Sequence, residues 1–76
     1  MTRQYAVILH PDPGQSGYWA TVPALPGCIS QGDTLELAIA NVREAMALHI
    51  AGLRADGEEI PEEIAHPQLV TIDVAA

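Results

Sequence analysis

One stretch of this chain, Thr34 to Ala55, carries apolar residues at helical spacing, and the rest reads as strands and turns. Successive helical residues rotate by ~100°, which places Leu35, Ile39, Val42, Met46, Ile50 and Leu53 on one stripe, with Ala38, Ala45 and His49 on its flanks. A lone helix can bury such a stripe only against a sheet, and a sheet covered by one helix keeps its other face open. The boundaries are marked locally. Asp33 precedes the first turn with Glu36 three residues on, the spacing of a capping box with Asp33 as the cap. Gly57 follows as a C-terminal cap, and Pro61 forbids resumption.

The strands read from side-chain type. Gln4 to His10 is β-branched and aromatic without breakers. Pro11, Asp12, Pro13 and Gly14 stop it, and Tyr18 to Val22 follows closely enough to form an antiparallel hairpin. In that second strand Tyr18, Ala20 and Val22 make the better core set, since the indole of Trp19 needs a partner for its N–H. Trp19 and Thr21 then fall on the open face. Pro23 to Gly27 forms a rigid corner, because each proline fixes its own φ and extends the residue before it. Cys28 to Gln31 is a short third strand, with Cys28 as a small apolar packing residue. After the helix, Gln68 to Val74 alternates Leu69, Thr71 and Asp73 against Val70, Ile72 and Val74. The helix is long enough to serve as a crossover, so this fourth strand can run parallel within the sheet by a right-handed connection.

At 76 residues the chain is one domain, residues 1–76, and buries only ~60% of its unfolded surface, so self-association is expected. Ten acidic residues face only Arg3, Arg43 and Arg54, for a net charge of -7. That balance disfavours direct nucleic-acid binding and an anionic membrane surface, and favours a basic protein partner. A lone cysteine allows neither an internal disulfide nor a multi-thiolate zinc site. The longest apolar run near the N-terminus, Ala6 to Leu9, is too short for a signal or a membrane span, so a cytoplasmic protein is expected.

The stretch from Gly17 to Thr34, GYWATVPALPGCISQGDT, resembles the HicB antitoxin family, as does its continuation through Asn41-Val42-Arg43-Glu44-Ala45 to Gly57 and Ile60-Pro61. Two positions depart from the family pattern. Ala24 stands where Asp is usual and Leu37 where Glu is common, both expected to face solvent. Pro23, Leu25, Pro26, Gly27, Gly32, Asp33 and Thr34 are read as fold-specifying. The resemblance implies an α+β, partial RNase H-like fold of order β-β-β-α-β. Its three antiparallel strands are joined by a fourth lying parallel to the first, with one helix on one face. It also implies a type II toxin-antitoxin role, neutralising HicA, a small basic toxin that cleaves messenger RNA with a histidine. Many relatives add a C-terminal DNA-binding module, and this sequence stops at Ala76 before one could begin, so operator binding by this chain alone is not expected.

A nuclease reading fails on residue placement. Two-metal cleavage needs clustered carboxylates, yet the first strand holds none, Asp12 lies among prolines, Glu44 falls opposite the core stripe, and Asp73 is in the last strand. His10, His49 and His66 show no helical metal spacing, His49 reading as half-buried and the other two as exposed. No catalytic residue, metal or cofactor is assigned, and no enzyme is expected. Exposure and charge instead nominate partner-contact residues: Asp12, Trp19, Thr21, Glu58, Glu59 and, on a helix surface with few charges, Leu48. The expected function is antitoxin action by occlusion. The alternative is an orphan regulatory or structural module, a dimer or tetramer without a toxin.

Overall fold

The computed structural model describes residues 3–63 and 66–76. Three short strands, β1 (Ile8–Pro11), β2 (Tyr18–Thr21) and β3 (Ile29–Gly32), are followed by one helix, α1 (Leu35–Ala55). The strands form an antiparallel sheet in the order β1-β2-β3, with Leu9 opposite Ala20 and Ala20 opposite Ser30. The fold is α+β, as expected, and each strand is shorter or shifted by one to a few residues relative to the sequence reading.

Alternation decides the faces. Ala20 and Val22 are buried beneath α1, joined by Leu25 and Cys28 from the corner and by Ala38 and Val42 from the helix. Tyr5, Val7 and Leu9 pack against this cluster from the first strand segment. The corner is built of turns: Leu25 N–H donates to Val22 O and Cys28 N–H to Leu25 O, both at 3.0 Å. They swing the fully buried Leu25 under the helix. Burial also pushes the Cys28 thiol above its ordinary pKa, which keeps it a neutral packing group. Ala24 is half-buried in this corner rather than solvent-facing, whereas Leu37 is exposed.

The helix ends refine the expectation. Thr34, not Asp33, is the N-cap: its Oγ1 accepts from Leu37 N–H at 3.1 Å. Thr34 has the extended backbone a cap requires, and Asp33 sits one residue too early to reach the same donor. At the other end Gly57 has φ +71, with Gly57 N–H on Arg54 O and Glu58 N–H on Leu53 O. That pair of bonds is a Schellman closure, so Gly57 terminates the helix as read.

Gly32 allows α1 to begin where it does. A Cβ there would lie 2.4 Å from Ala38 N and 2.6 Å from Leu37 C, so only a glycine lets the end of β3 touch the first turn of the helix.

The buried stripe of α1 is rotated from the predicted one. Ala38 and Val42 are its centre, Ala45, Met46, His49 and Ile50 are half-buried, and Leu35 and Ile39 are exposed. The cause is on the β1 side of the helix, where nothing among the described residues covers the stripe. Gln68 to Val74, expected as a strand parallel to the first, makes no strand pairing here: all of residues 66–76 are exposed, with Leu69 98% and Val74 81% accessible. β1 is therefore an edge strand. Ahead of it, Tyr5 Oη donates to Pro61 O and Ala6 N–H donates to Glu63 Oε1 at 2.8 Å, which ties the post-helix segment to the start of the chain.

Candidate protein-binding face

The sheet face turned away from α1 is where the unburied half of each strand's alternation collects. Register places Ile8, Thr21 and Ile29 in one cross-strand row, and His10, Trp19 and Gln31 in the next. Trp19 lies flat against His10, ring centroids 3.9 Å apart and planes 16° from parallel. His10 Nε2 and Thr21 Oγ1 hydrogen-bond at 3.1 Å. The imidazole is thus held between a stacked ring and a hydroxyl, and in turn fixes the indole. Trp19 stays 43% exposed and Ile29 63% exposed, an unusual amount of large apolar side chain on one small sheet.

This face borders a cleft at the hairpin end, lined by Asp12, Trp19, Gln31, Asp33, Leu37 and Asn41. Asp12 caps the hairpin turn, its Oδ1 accepting from Gly14 N–H at 2.9 Å. Asn41 Nδ2 donates to Gln31 O at 2.8 Å and so ties the helix to β3 at the cleft floor. The charged side chains of the cleft are the two aspartates. All three arginines of the sequence lie instead around a second cleft, between β1 and α1. The arginines thus group along the β1–α1 seam, apart from the Trp19 face, with Glu62 and Glu63 beside Arg3.

Three of the residues nominated from sequence, Asp12, Trp19 and Thr21, come together here. The other three do not. Leu48 is exposed on α1, three turns or ~16 Å beyond Leu37 along the helix. Glu58 and Glu59 are exposed past the far end of α1. Sequence reasoning missed Ile8, His10 and Ile29 as members of this face, and His10 is half-buried against Trp19 rather than a free strand end. The hairpin contained the signal: once Trp19 and Thr21 point outward, antiparallel pairing puts His10 and Ile8 beside them.

Among the described residues no three of His, Cys, Asp and Glu are grouped to hold a metal ion, and no helix is long and apolar enough to cross a membrane. Asp12 is at the hairpin, Glu44 is exposed on α1, and Asp73 is in the exposed C-terminal segment.

Comparison with known proteins places the chain. The model of the HicB-like antitoxin family of bacterial toxin-antitoxin systems matches residues 5–73. The chain belongs to that family. It is 41% identical over 61 residues to a UPF0150 protein of Thermoplasma acidophilum, covering 79% of this chain and 86% of that one. It is 46% identical over 59 residues to a UPF0150 protein of Synechocystis, covering 78% and 73%. An uncharacterised 14.9 kDa protein from the rep-hol intergenic region of Haemophilus phage HP1 is 50% identical over 46 residues, and the match spans 60% of this chain but 35% of the phage protein.

Proposed function

We propose that this chain is an antitoxin that binds a small, basic, RNA-cleaving toxin of the HicA type and blocks it by covering the surface the RNA would occupy. Family membership supports a toxin-antitoxin role in general. The observation that carries the finer reading is the exposed Trp19, held flat by His10 and flanked by Ile8 and Ile29 on an uncovered sheet face beside Asp12 and Asp33. A protein that grips RNA is basic around its active site. An aromatic anchor with an acidic rim and a net charge of -7 is complementary to such a surface. The charge speeds encounter, and the apolar centre supplies residence time. No chemistry is asked of this chain, which acts as a shield rather than a hydrolase, without cofactor or metal, in the cytoplasm where messenger RNA is cut. Leu48, Glu58 and Glu59, exposed elsewhere on the molecule, would make contacts separate from the main face.

The contact residues of this reading all lie within residues 1–76. In the RNase H-like arrangement the family implies, a fourth strand lies parallel to the first, and residues 68–74 have the alternation to provide it.

Co-expression with a HicA-type toxin tests the reading. The toxin should co-purify with the wild-type chain and be lost from the Trp19→Ala variant. Failure of the wild-type chain to retain it would favour the other reading, a homo-oligomeric regulatory module without a toxin.

A further inference from the structure

The cleft at the hairpin end holds two carboxylates on backbone that is already ordered. Pro11 and Gly32 both pair with Tyr18, so Asp12 and Asp33 follow strand ends that lie two strand spacings, ~10 Å, apart. Asp12 is fixed twice: its N–H donates to Gly17 O at 3.1 Å, and its Oδ1 accepts from Gly14 N–H at 2.9 Å. The second carboxylate oxygen of Asp12 is left for a ligand. Asp33 follows Gly32, the glycine that lets β3 touch the first turn of α1. Gly17, with φ +127, is equally close to β3: a Cβ there would lie 3.1 Å from Gly32 O. Little ordering is left to be done when a ligand arrives.

The other groups of the cleft select the ligand. Asn41 spends its Nδ2 on Gln31 O and keeps Oδ1 as an acceptor. His10 covers one side of the Trp19 indole and does not line the cleft, so the indole offers the cleft its open side. Two carboxylates, an amide oxygen and a π surface all complement a cation, and an anion would meet two like charges. The cleft has a volume of about 530 Å³, room for a long side chain. An ammonium is a compact, strongly hydrated point charge. A guanidinium is planar and weakly hydrated, and it can stack on an aromatic ring while its edges bond carboxylates. Arg3, Arg43 and Arg54 line the β1–α1 cleft instead, so the guanidinium belongs to another molecule. A second copy would bring a net charge of -7 toward the same charge, whereas a basic protein is attracted.

We propose that this cleft is a socket for one arginine of the toxin, its guanidinium bridged by Asp12 and Asp33 and laid on the open side of Trp19. The socket rests on the antitoxin reading and names the group on the partner that is recognised. A surface that grips RNA is built from Arg and Lys, and an arginine seated here is withdrawn from RNA. Ile8 and Ile29 take up apolar surface beside it, and the socket sets the register in which the two proteins meet.

The test is a set of binding isotherms between the full chain and a HicA-type toxin. Asp12→Asn with Asp33→Asn removes both charges and keeps an acceptor for Gly14 N–H. The pair should weaken binding by ~30-fold or more, the scale of a charge pair lost from an interface. Asp33→Asn alone, which disturbs no turn, should cost ~5-fold or more and serves should the pair lose its helical circular dichroism. A control, Glu44→Gln with Asp56→Asn, makes the same change in net charge at exposed positions on and just past α1, and should cost less than ~3-fold. Each toxin arginine is then changed to Gln in turn. With one of them gone, the aspartate substitutions should cost less than ~3-fold more, because the partner they held is already absent. Full affinity in the aspartate variants, an equal loss in the control, or no toxin arginine that couples to them would overturn the socket and leave the antitoxin reading standing. A wild-type chain without affinity for the toxin would overturn that reading and the socket with it.

Discussion

The Trp19 indole rests on the His10 imidazole across the β1–β2 pair, 3.9 Å between centroids, and the far side of the indole is left to solvent. A ring so held presents a fixed apolar plate without losing further rotamer freedom on binding, which is what an interface anchor needs. Trp19→Ala should cost the isolated chain about 1–3 kcal/mol, since it removes both the ring stack and the burial of a half-covered indole. Toxin affinity should fall by ~30-fold or more, the scale of a central aromatic contact. Thermal melts and binding isotherms on the same protein read the two effects separately.

Gly32 and Gly52 should respond in opposite directions to the same change. Gly32→Ala drives a Cβ to within 2.4 Å of the α1 backbone, so the helix start must shift, with an expected loss of about 1–3 kcal/mol. Gly52 lies inside α1 with nothing within 4 Å of the added carbon. Gly52→Ala should gain about 1 kcal/mol from helix propensity. Denaturation midpoints of both variants check the pair.

Thr34 and Asp33 divide the capping question. Thr34→Ala removes the acceptor for Leu37 N–H and should cost about 1 kcal/mol, while Asp33→Ala should stay within about 0.5 kcal/mol. Reversal of that order would return the cap to Asp33.

Cys28 should be slow toward thiol reagents while the fold is intact. Its pKa is raised by burial, so the folded chain favours the neutral thiol. That preference contributes stability in full below the unfolded thiol's pKa and is lost as pH rises through the higher folded value. Alkylation at neutral pH should therefore track unfolding, and become fast only in denaturant.

How far the sequence carried can be traced through particular residues. The orientation of the hairpin was readable from Trp19 against Tyr18 and Ala20, because a strand has only two faces and one indole. The end of the helix was readable at Gly57, where the left-handed backbone suits glycine. The start was misplaced by one residue, since Asp33 and Thr34 are both good caps and only backbone geometry separates them. Ile39 and Leu35 were expected in the core from the helical wheel alone. A wheel gives the direction of the apolar stripe but not the width of the sheet beneath it, and here the sheet stops at β1. For the same reason the alternation at Gln68 to Val74 announced a strand without saying which edge it joins. The role of His10 was hidden because a histidine beside a proline reads as a strand end, and its partners Trp19 and Thr21 are set by cross-strand register.

The central claim, that this chain silences an RNA-cleaving toxin by covering it, is tested most directly by titrating the chain into a cleavage reaction of HicA-type toxin on messenger RNA. Cleavage should fall linearly and stop near stoichiometric addition, and Trp19→Ala should need a large excess to do the same. Undiminished cleavage in saturating wild-type chain would contradict the account.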